Sequence, residues 1–263
     1  MNRIKIAVCG AAGRMGSSII RLAQADAELE VSAAVDARPE AMFFGGTVFK
    51  GKASADLAGA GNDFSVIIDF SSIDGALRSL DFALKNKKAI VIGTTGFSDS
   101  QTEKIKSAAR DIPVVLSPNM SVGVNLLFKL AYDAAKALPG YDAEIVELHH
   151  NQKKDSPSGT AARLAQVVAS ALGIDLSKNG IYGRFGNIGA RKKNEIGVMS
   201  VRAGDIVGEH TLYLAGPGER LELTHKAHSR DNFASGALQA AKWLSSKPAG
   251  FYDMQDVLGL KIK

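Results

Sequence analysis

Five short apolar runs alternate with stretches of helical periodicity over the first 120 residues, and this alternation constrains the fold more than any other feature of the chain. Strands that alternate with helices form parallel sheets, because each helix carries the chain back to the edge where the last strand began. The sequence therefore predicts an α/β fold with a doubly wound parallel sheet. Its strands are expected at residues 3–9, 31–35, 66–70, 89–92 and 113–116, and its helices at 17–25, 75–84 and from Ser98 to about residue 110.

The pattern changes after about residue 120. Three β-like runs follow one another there with no helical stretch between them. Such a succession is typical of an α+β unit with its own sheet, which we expect to be mixed. Its strands are predicted at residues 143–148, 196–202, 209–215 and 220–227, and its helices at 124–138 and from Thr160 onward. A final helix at 233–244 is expected to return to the first domain.

The segment GAAGRMG, residues 10–16, follows the first strand and opens the first helix. A turn of this kind brings backbone N–H groups close to a pyrophosphate, which the positive end of the helix dipole attracts. Asp36 closes the second strand, where its carboxylate would accept hydrogen bonds from an adenosine ribose. The sequence therefore predicts a Rossmann-like site for NADH or NADPH. The alternative is an ordinary βα turn and a solvated acid at a strand end.

The residues around Asp36 bear on the choice of cofactor. The charge of Asp36 favours NADH by repelling the 2′-phosphate of NADPH, whereas Arg38 stands two residues on and is suited to pair with that phosphate. We expect NADH to be used and NADPH to be tolerated.

Polar loops follow the fourth and fifth strands of the predicted sheet, with the sequences GTTG at 93–96 and SPNMSVGVN at 117–125. Ligands of parallel sheets collect at the carboxyl ends of the strands. Thr94, Thr95 and Asn119 are therefore candidates for hydrogen bonds to a nicotinamide amide or ribose. Ordinary loops rich in Gly, Thr, Ser and Pro remain the alternative.

The segment ELHHNQKKDSPSGTA, residues 147–161, concentrates groups suited to acid–base chemistry and anion binding. A histidine delivers a proton near neutral pH, and a lysine stabilises negative charge. Hydroxyls of Ser158 or Thr160, with the N–H groups of the helix that starts there, would bind one carboxylate, and lysine or histidine another. Two solvated lysines and an ordinary helix cap are the structural alternative. The candidate titratable residues are His149, His150, Lys153 and Lys154.

No metal site is expected. Adjacent histidines point to opposite faces of a strand, and no carboxylate or third histidine stands at ligand spacing in the sequence. Lys and Arg exceed Asp and Glu by 32 − 27 = 5, but the basic residues are scattered, so we expect anionic small molecules and no nucleic-acid partner. Cys9 is the only cysteine of the sequence, so an internal disulfide is excluded, and Cys9 is expected to be buried. No apolar run is long enough to cross a bilayer, so no membrane association and a cytoplasmic location are expected.

Taken together, these motifs resemble the 4-hydroxy-tetrahydrodipicolinate reductase family, also called the dihydrodipicolinate reductase family. GxxGRMG, VIGTTGF, SPNMSVGVN, ELHHNQKKDSPSGTA, SVRAGDIVGEHT and ERLELTHKAHSR stand in the family's order, from residue 3 to the FYDMQDVL near the C-terminus. The resemblance implies a homotetramer that reduces a cyclic dicarboxylate, 4-hydroxy-tetrahydrodipicolinate, to tetrahydrodipicolinate with loss of water in lysine and diaminopimelate biosynthesis. It also implies a dinucleotide-binding domain, residues 1–120 and 231–263, and a substrate-binding and tetramerisation domain, residues 121–230.

The resemblance also implies roles for single residues. His149 matches the general acid, Lys153 a second proton donor and His150 a substrate contact. Gly159 and Thr160 match carboxylate-binding residues, beside Ser158. Matches to cofactor contacts are Gly10, Ala11, Ala12, Gly13, Arg14, Met15, Asp36, Gly93, Thr94, Thr95, Ser117, Pro118, Asn119 and Met120, to which the residues themselves add Arg38.

One position departs from the family's pattern. Many relatives carry an arginine directly after the ribose-binding acid, where it serves NADPH, and here that residue is Ala37. Two other functions remain open. Another two-domain NAD(P)-dependent dehydrogenase would share the turn and Asp36 but would not require HHNQKK followed by SPSGT. A non-catalytic dinucleotide sensor would not require His149, Lys153 and Thr160 together.

Overall fold

A computed structural model describes residues 3–42 and 49–261. The chain folds into two compact units. The first unit runs to Val122 and includes Arg230–Gly259, and the second comprises Gly123–Ser229 with the residues from Leu260. Residues 43–48 lie outside the described residues.

The first unit contains a parallel sheet of seven strands, in the order β12-β6-β5-β4-β1-β2-β3. The predicted doubly wound parallel sheet is confirmed, and all five expected strands are present. Sequence reasoning missed the two edge strands, β3 and β12, because each has three residues and too little apolar periodicity to be recognised. The strands are β1 Ile4–Cys9, β2 Leu29–Val35, β3 Lys52–Ser54, β4 Val66–Asp69, β5 Ala89–Ile92, β6 Pro113–Leu116 and β12 Gly250–Tyr252.

Helices cover both faces of this sheet, because successive strand residues point to opposite sides. Val8 belongs to a core formed with α1 and α8, whereas the preceding Ala7 belongs to a core formed with α3 and α4. Ser98 and Gln101 form a capping box at the start of α4, where the sequence predicted a helix from Ser98. The helices are α1 Arg14–Gln24, α2 Leu57–Ala60, α3 Ile73–Lys85, α4 Asp99–Ala108, α8 Asp231–Leu244 and α9 Met254–Val257, with a 3₁₀ turn at Pro39–Ala41.

The second unit contains the predicted mixed sheet, in the order β11-β10-β7-β9-β8. β7 pairs antiparallel with β10 and parallel with β9, and β10 pairs antiparallel with β11. One face packs against α5 and α6 through a core that includes Phe128, Leu164 and Ile145. Its elements are α5 Val122–Ala137, β7 Asp142–His149, α6 Gly159–Leu172, α7 Leu176–Asn179, β8 Gly180–Ile181, β9 Ile196–Arg202, β10 Gly208–Gly216 and β11 Glu219–Ala227.

The other face of this sheet is only partly covered within the chain. Thr211 and Tyr213 on β10 are half-buried, while the alternate residues His210 and Leu212 are buried. On β9, Val201 is 41% exposed. Among the described residues, no helix combines the length and apolar character that spanning a membrane requires.

Candidate functional site

The glycine-rich turn of the first unit depends on glycine at two positions. Gly10 has a φ of +77°, and a Cβ there would lie 2.5 Å from the carbonyl oxygen of Phe70. A Cβ on Gly16 would lie 2.1 Å from the carbonyl oxygen of Gly10. Side chains are thus excluded where strand, turn and helix meet. Helix α1 begins at Arg14, directly after the extended Gly13, and not at the predicted residue 17.

Asp36, at the end of β2, is hydrogen-bonded to this turn. Its Oδ2 accepts a hydrogen bond from the backbone N–H of Ala12 at 3.0 Å, and its Oδ1 accepts one from the N–H of Arg38 at 3.1 Å. An ionised carboxylate has about four lone-pair sites, so these bonds leave capacity for a ribose hydroxyl. The turn and the expected acid therefore lie side by side, as a dinucleotide would require.

A cavity of about 540 Å³ opens beside the turn, wholly within the first unit. Gly10, Gly13 and Asp36 line it, together with Ala37. Arg78 on α3 also lines it, and its exposed guanidinium is the one cationic group on the cavity wall among the described residues. Sequence reasoning missed Arg78. Its spacing of three residues from Gly75, another lining residue, is the signal that would have placed both on one helix face.

The predicted residues after β5 meet a buried acid that sequence reasoning did not single out. Asp69 is completely buried, and its Oδ1 accepts a hydrogen bond from Thr94 Oγ1 at 3.1 Å while its Oδ2 accepts one from Ser79 Oγ at 2.6 Å. Gly93 packs closely on Phe70, since a Cβ there would lie 2.2 Å from the ring. Thr95 is exposed. The Thr94 hydroxyl therefore orders this loop, and Thr95 offers the accessible hydroxyl.

Three predicted cofactor contacts are buried side chains. Met120 is 2% exposed and belongs to the core, Ser117 donates its hydroxyl hydrogen bond to the carbonyl oxygen of Asn119 at 2.8 Å, and Ala11 is 1% exposed. Because their side chains are buried, these residues would contact a cofactor through their backbone atoms. Pro118 is exposed and Asn119 half-buried.

In the second unit, β7 sets Glu147 and His149 on the same face of the sheet, because residues two apart on a strand share a face. His149 Nδ1 lies 2.5 Å from Glu147 Oε2. His210 on β10 stands opposite Glu147 in the strand register, and its ring is 5.2 Å from that of His149, edge to face. His150 follows the end of β7 and is half-buried.

Glu147 is completely buried and multiply hydrogen-bonded. Arg202 on β9 donates to Oε1 at 2.8 Å and to Oε2 at 3.0 Å. Burial alone would raise the pKa of the Glu147 carboxyl, but hydrogen bonds from His149 and Arg202 outweigh burial and hold that pKa well below its usual range. The cluster therefore keeps a negative charge beside the His149 ring.

Ser158 caps α6 from inside the protein. Its hydroxyl accepts a hydrogen bond from the N–H of Ala161 at 3.2 Å and lies 3.1 Å from His210 Nε2, and the residue is 2% exposed. The helix cap that was the structural alternative for this segment is present, and the hydroxyl is engaged by the protein. Gly159 at the first position of the helix is exposed, with open space around its α-carbon. An anion would thus meet backbone N–H groups at this end of α6.

Lys153 forms an ion pair with Asp155, with Nζ 2.9 Å from Oδ1 and 3.0 Å from Oδ2. The pKa of the Asp155 carboxyl is lowered, first by the hydrogen bond from Lys153. The side chain of Lys153 is 20% exposed, whereas the adjacent Lys154 is exposed. Sequence reasoning did not identify Asp155 as the partner of Lys153, and a substrate carboxylate would compete with it.

The expectation that no carboxylate or third histidine stands at ligand spacing is wrong. Ligand atoms of Glu147, His149 and His210 lie within 4.8 Å of one another, because the strand pairing of β7 with β10 joins residues far apart in the sequence. Arg202 nevertheless donates to both oxygens of Glu147. A metal ion would have to compete with this guanidinium for its acidic ligand.

Comparison with known families covers almost the whole chain. The model of the dihydrodipicolinate reductase N-terminus matches residues 4–120, and that of the dihydrodipicolinate reductase C-terminus matches residues 123–258. A curated relative from Syntrophotalea carbinolica, named 4-hydroxy-tetrahydrodipicolinate reductase, is 50% identical over 98% of this chain and 100% of its own length. A relative of the same name from Trichlorobacter lovleyi is 51% identical over 98% of this chain and 100% of its own length.

Solved structures share the fold. A dipicolinate-bound dihydrodipicolinate reductase from Paenisporosarcina sp. TG-14 superposes with a TM-score of 0.80 at 23% identity, covering 97% of this chain and 99% of that one. GenD2 from gentamicin A biosynthesis, in complex with NAD, has a TM-score of 0.61 at 13% identity, covering 99% of this chain and 91% of that one.

Proposed function

The chain belongs to the dihydrodipicolinate reductase family, and on that premise we propose which of its residues carry the reaction. It is an NAD(P)H-dependent oxidoreductase that reduces 4-hydroxy-tetrahydrodipicolinate to tetrahydrodipicolinate, with loss of water, in lysine and diaminopimelate biosynthesis. The observation that carries this assignment is identity of about half over nearly the full length of the curated relatives.

The first unit is the dinucleotide-binding domain in this proposal. The space kept open by Gly10 and Gly16, with Asp36 beside it, fits a dinucleotide whose pyrophosphate lies at the start of α1. When bound, NAD(P)H supplies the hydride. Residues 10–15, Asp36 and Arg38 would hold the pyrophosphate and adenosine ribose. Residues 93–95 and 117–120 would hold the nicotinamide end, partly through backbone atoms.

His149 is the proposed general acid. Its Nδ1 faces Glu147, so Nε2 is the nitrogen left to hold the proton that complements the hydride. Lys153 is the proposed second proton donor, and it would exchange its pairing with Asp155 for a substrate carboxylate. The second unit thereby becomes the substrate-binding domain.

The N-terminus of α6 is the proposed site of one substrate carboxylate. Gly159 and Thr160 would present backbone N–H groups to it, and the open space at Gly159 admits a ligand to that end of the helix. Ser158 supports them as the helix cap. His150 is the proposed further contact to the dicarboxylate.

The family resemblance extends this proposal to a homotetramer in the cytoplasm. Val201 and Tyr213 lie on the partly covered face of the sheet. Covering such apolar surface with another chain lowers the free energy, so this face supports assembly through the second unit. Light scattering coupled to gel filtration tests the assembly, with four chains expected per particle and a monomer contradicting it.

Oxidation of NADH tests the reaction. The substrate is generated in the assay from pyruvate and aspartate semialdehyde by the preceding enzyme of the pathway. We expect NADH oxidation only when this mixture is present, and inhibition by pyridine-2,6-dicarboxylate. Turnover with a hydroxy acid instead, or cofactor binding with no turnover, would contradict the assignment and favour another dehydrogenase or a sensor.

A further inference from the structure

The carboxyl group of Glu147 is fully buried. His149 can donate a proton without an acid beside it, so the presence of this acid requires an explanation. Burying a carboxylate is costly unless hydrogen bonds and counter-charges compensate the loss of water. The chain nevertheless places this acid two residues before His149 on β7, with its Oε2 2.5 Å from the Nδ1 of that ring. A buried acid held in this way points to a role in controlling the histidine.

Groups besides the histidine also keep the carboxylate ionised and oriented. The guanidinium of Arg202 donates to both oxygens, at 2.8 and 3.0 Å. The backbone N–H of Ser158 donates to Oε1 at 3.2 Å. The plane of the carboxylate is thus fixed from two sides, and Oε2 faces the imidazole as a charged acceptor.

We propose that Glu147 is a positioning residue that fixes the tautomer and orientation of His149. By accepting the Nδ1–H in both protonation states of the ring, it leaves the exchangeable proton on Nε2, where the substrate would receive it. Gly208 keeps the space beside that nitrogen open, since a Cβ there would lie 3.0 Å from Nε2. The inference rests on the proposed role of His149 as general acid.

The charged groups around His149 come from several elements. Arg202 on β9 stands opposite His149 in the strand register, and the ring of His210 on β10 lies 5.2 Å from that of His149. Lys153, in the loop after β7, forms an ion pair with Asp155, and its charge contributes to lowering the pKa of His210. Burial, followed by the charge of His149, lowers the pKa of His210 to about 3, so His210 is neutral in the assay range.

His225 on β11 lies beyond His210. Its pKa is lowered first by burial and then by His228. Glu147 is the one carboxylate of the described residues hydrogen-bonded to the ring of His149.

The substitution Glu147→Gln tests the inference by removing the charge while keeping the shape of the side chain. We expect kcat/KM to fall by about 10- to 100-fold. We also expect the alkaline limb of its pH profile to move to lower pH by about one unit, because the imidazolium loses its counter-charge. The affinity for NADH should not change. A purely structural role would lower the Tm without moving that limb.

Glu144→Gln is the matched control. Glu144 lies on the same strand, on the opposite face, and is held by Arg184 and Arg191 without a histidine. We expect this variant to lose a comparable amount of thermal stability and to keep the wild-type pH profile. The inference is overturned if the Glu147→Gln profile superimposes on that of the wild type, or if both variants shift alike.

A measurement on the unsubstituted protein covers the case in which Glu147→Gln does not fold. Nitrogen-15 NMR of the neutral His149 ring should show the proton on Nδ1, and a proton on Nε2 would overturn the inference. An active wild-type enzyme with that wrong tautomer refutes only the positioning role. A wild-type enzyme that does not reduce the dicarboxylate refutes the proposed function itself.

Discussion

In the glycine-rich turn, the absence of side chains positions the backbone, whereas around His149 buried charge positions a side chain. Gly10 and Gly16 allow strand, turn and helix to approach within distances that any Cβ would prevent. Glu147 and Arg202 instead form an ion pair, and the carboxylate of that pair is hydrogen-bonded to the histidine ring. Substitutions in the turn should therefore act through steric collision, and substitutions around His149 through loss of charge or of hydrogen bonding. Variants in the two regions should separate cofactor binding from chemistry.

The largest expected effect is that of His149→Gln. Glutamine retains a group that can hydrogen-bond to Glu147 but carries no transferable proton at neutral pH. We expect kcat to fall by on the order of 100-fold or more, with little change in NADH affinity. Steady-state kinetics and a fluorescence titration with NADH measure the two quantities. An unchanged kcat would remove His149 from its proposed role.

Gly10→Ala should, in contrast, weaken the binding of NADH. The alanine adopts a positive φ and brings a Cβ to 2.5 Å from the carbonyl oxygen of Phe70, so we expect a loss of about 2–3 kcal/mol in the free energy of unfolding and a roughly 30-fold weaker NADH affinity. Gly173→Ala is the control, because Gly173 has a φ of +67° with open space around its α-carbon. It should lose only about 1 kcal/mol and bind NADH normally. Equal losses in both variants would show that the close approach to Phe70 has no consequence.

The two regions also differ in how far the sequence predicted them. The turn and Asp36 are adjacent in a local βα pattern with a known geometry, so their contact was predictable. Glu147 precedes His149 by only two residues, but the other members of the cluster, Arg202 on β9 and His210 on β10, lie more than fifty residues away in the chain. Their contact depends on strand pairing that single-sequence periodicity does not specify. The five apolar strands were found, whereas the edge strands β3 and β12 have three residues each and too little apolar periodicity to be recognised. Arg78 was missed although its three-residue spacing from Gly75 is a local signal.

Lys153→Ala should have a smaller effect than loss of the histidine. The substitution removes one positive charge and leaves Asp155 unpaired near the proposed carboxylate site, so both turnover and substrate binding should suffer. We expect kcat/KM for the dicarboxylate to fall by about tenfold, with a higher KM. Lys154→Ala is the control, because that lysine is the exposed neighbour. Wild-type kinetics in Lys153→Ala would show that the substrate carboxylate binds elsewhere.

The smallest expected effect concerns cofactor choice. Ala37 lines the cavity beside the turn and follows Asp36, so an arginine there would face the 2′-phosphate of NADPH. Because an exposed ion pair contributes about 1 kcal/mol, Ala37→Arg should raise the ratio of NADPH to NADH kcat/KM by about fivefold. Ala27→Arg adds the same charge before the start of β2 instead of after its end, and should leave the ratio unchanged. Higher salt should reduce the gain, since it screens exposed charges. An unaltered ratio in Ala37→Arg would contradict the placement of the adenosine phosphate beside Asp36.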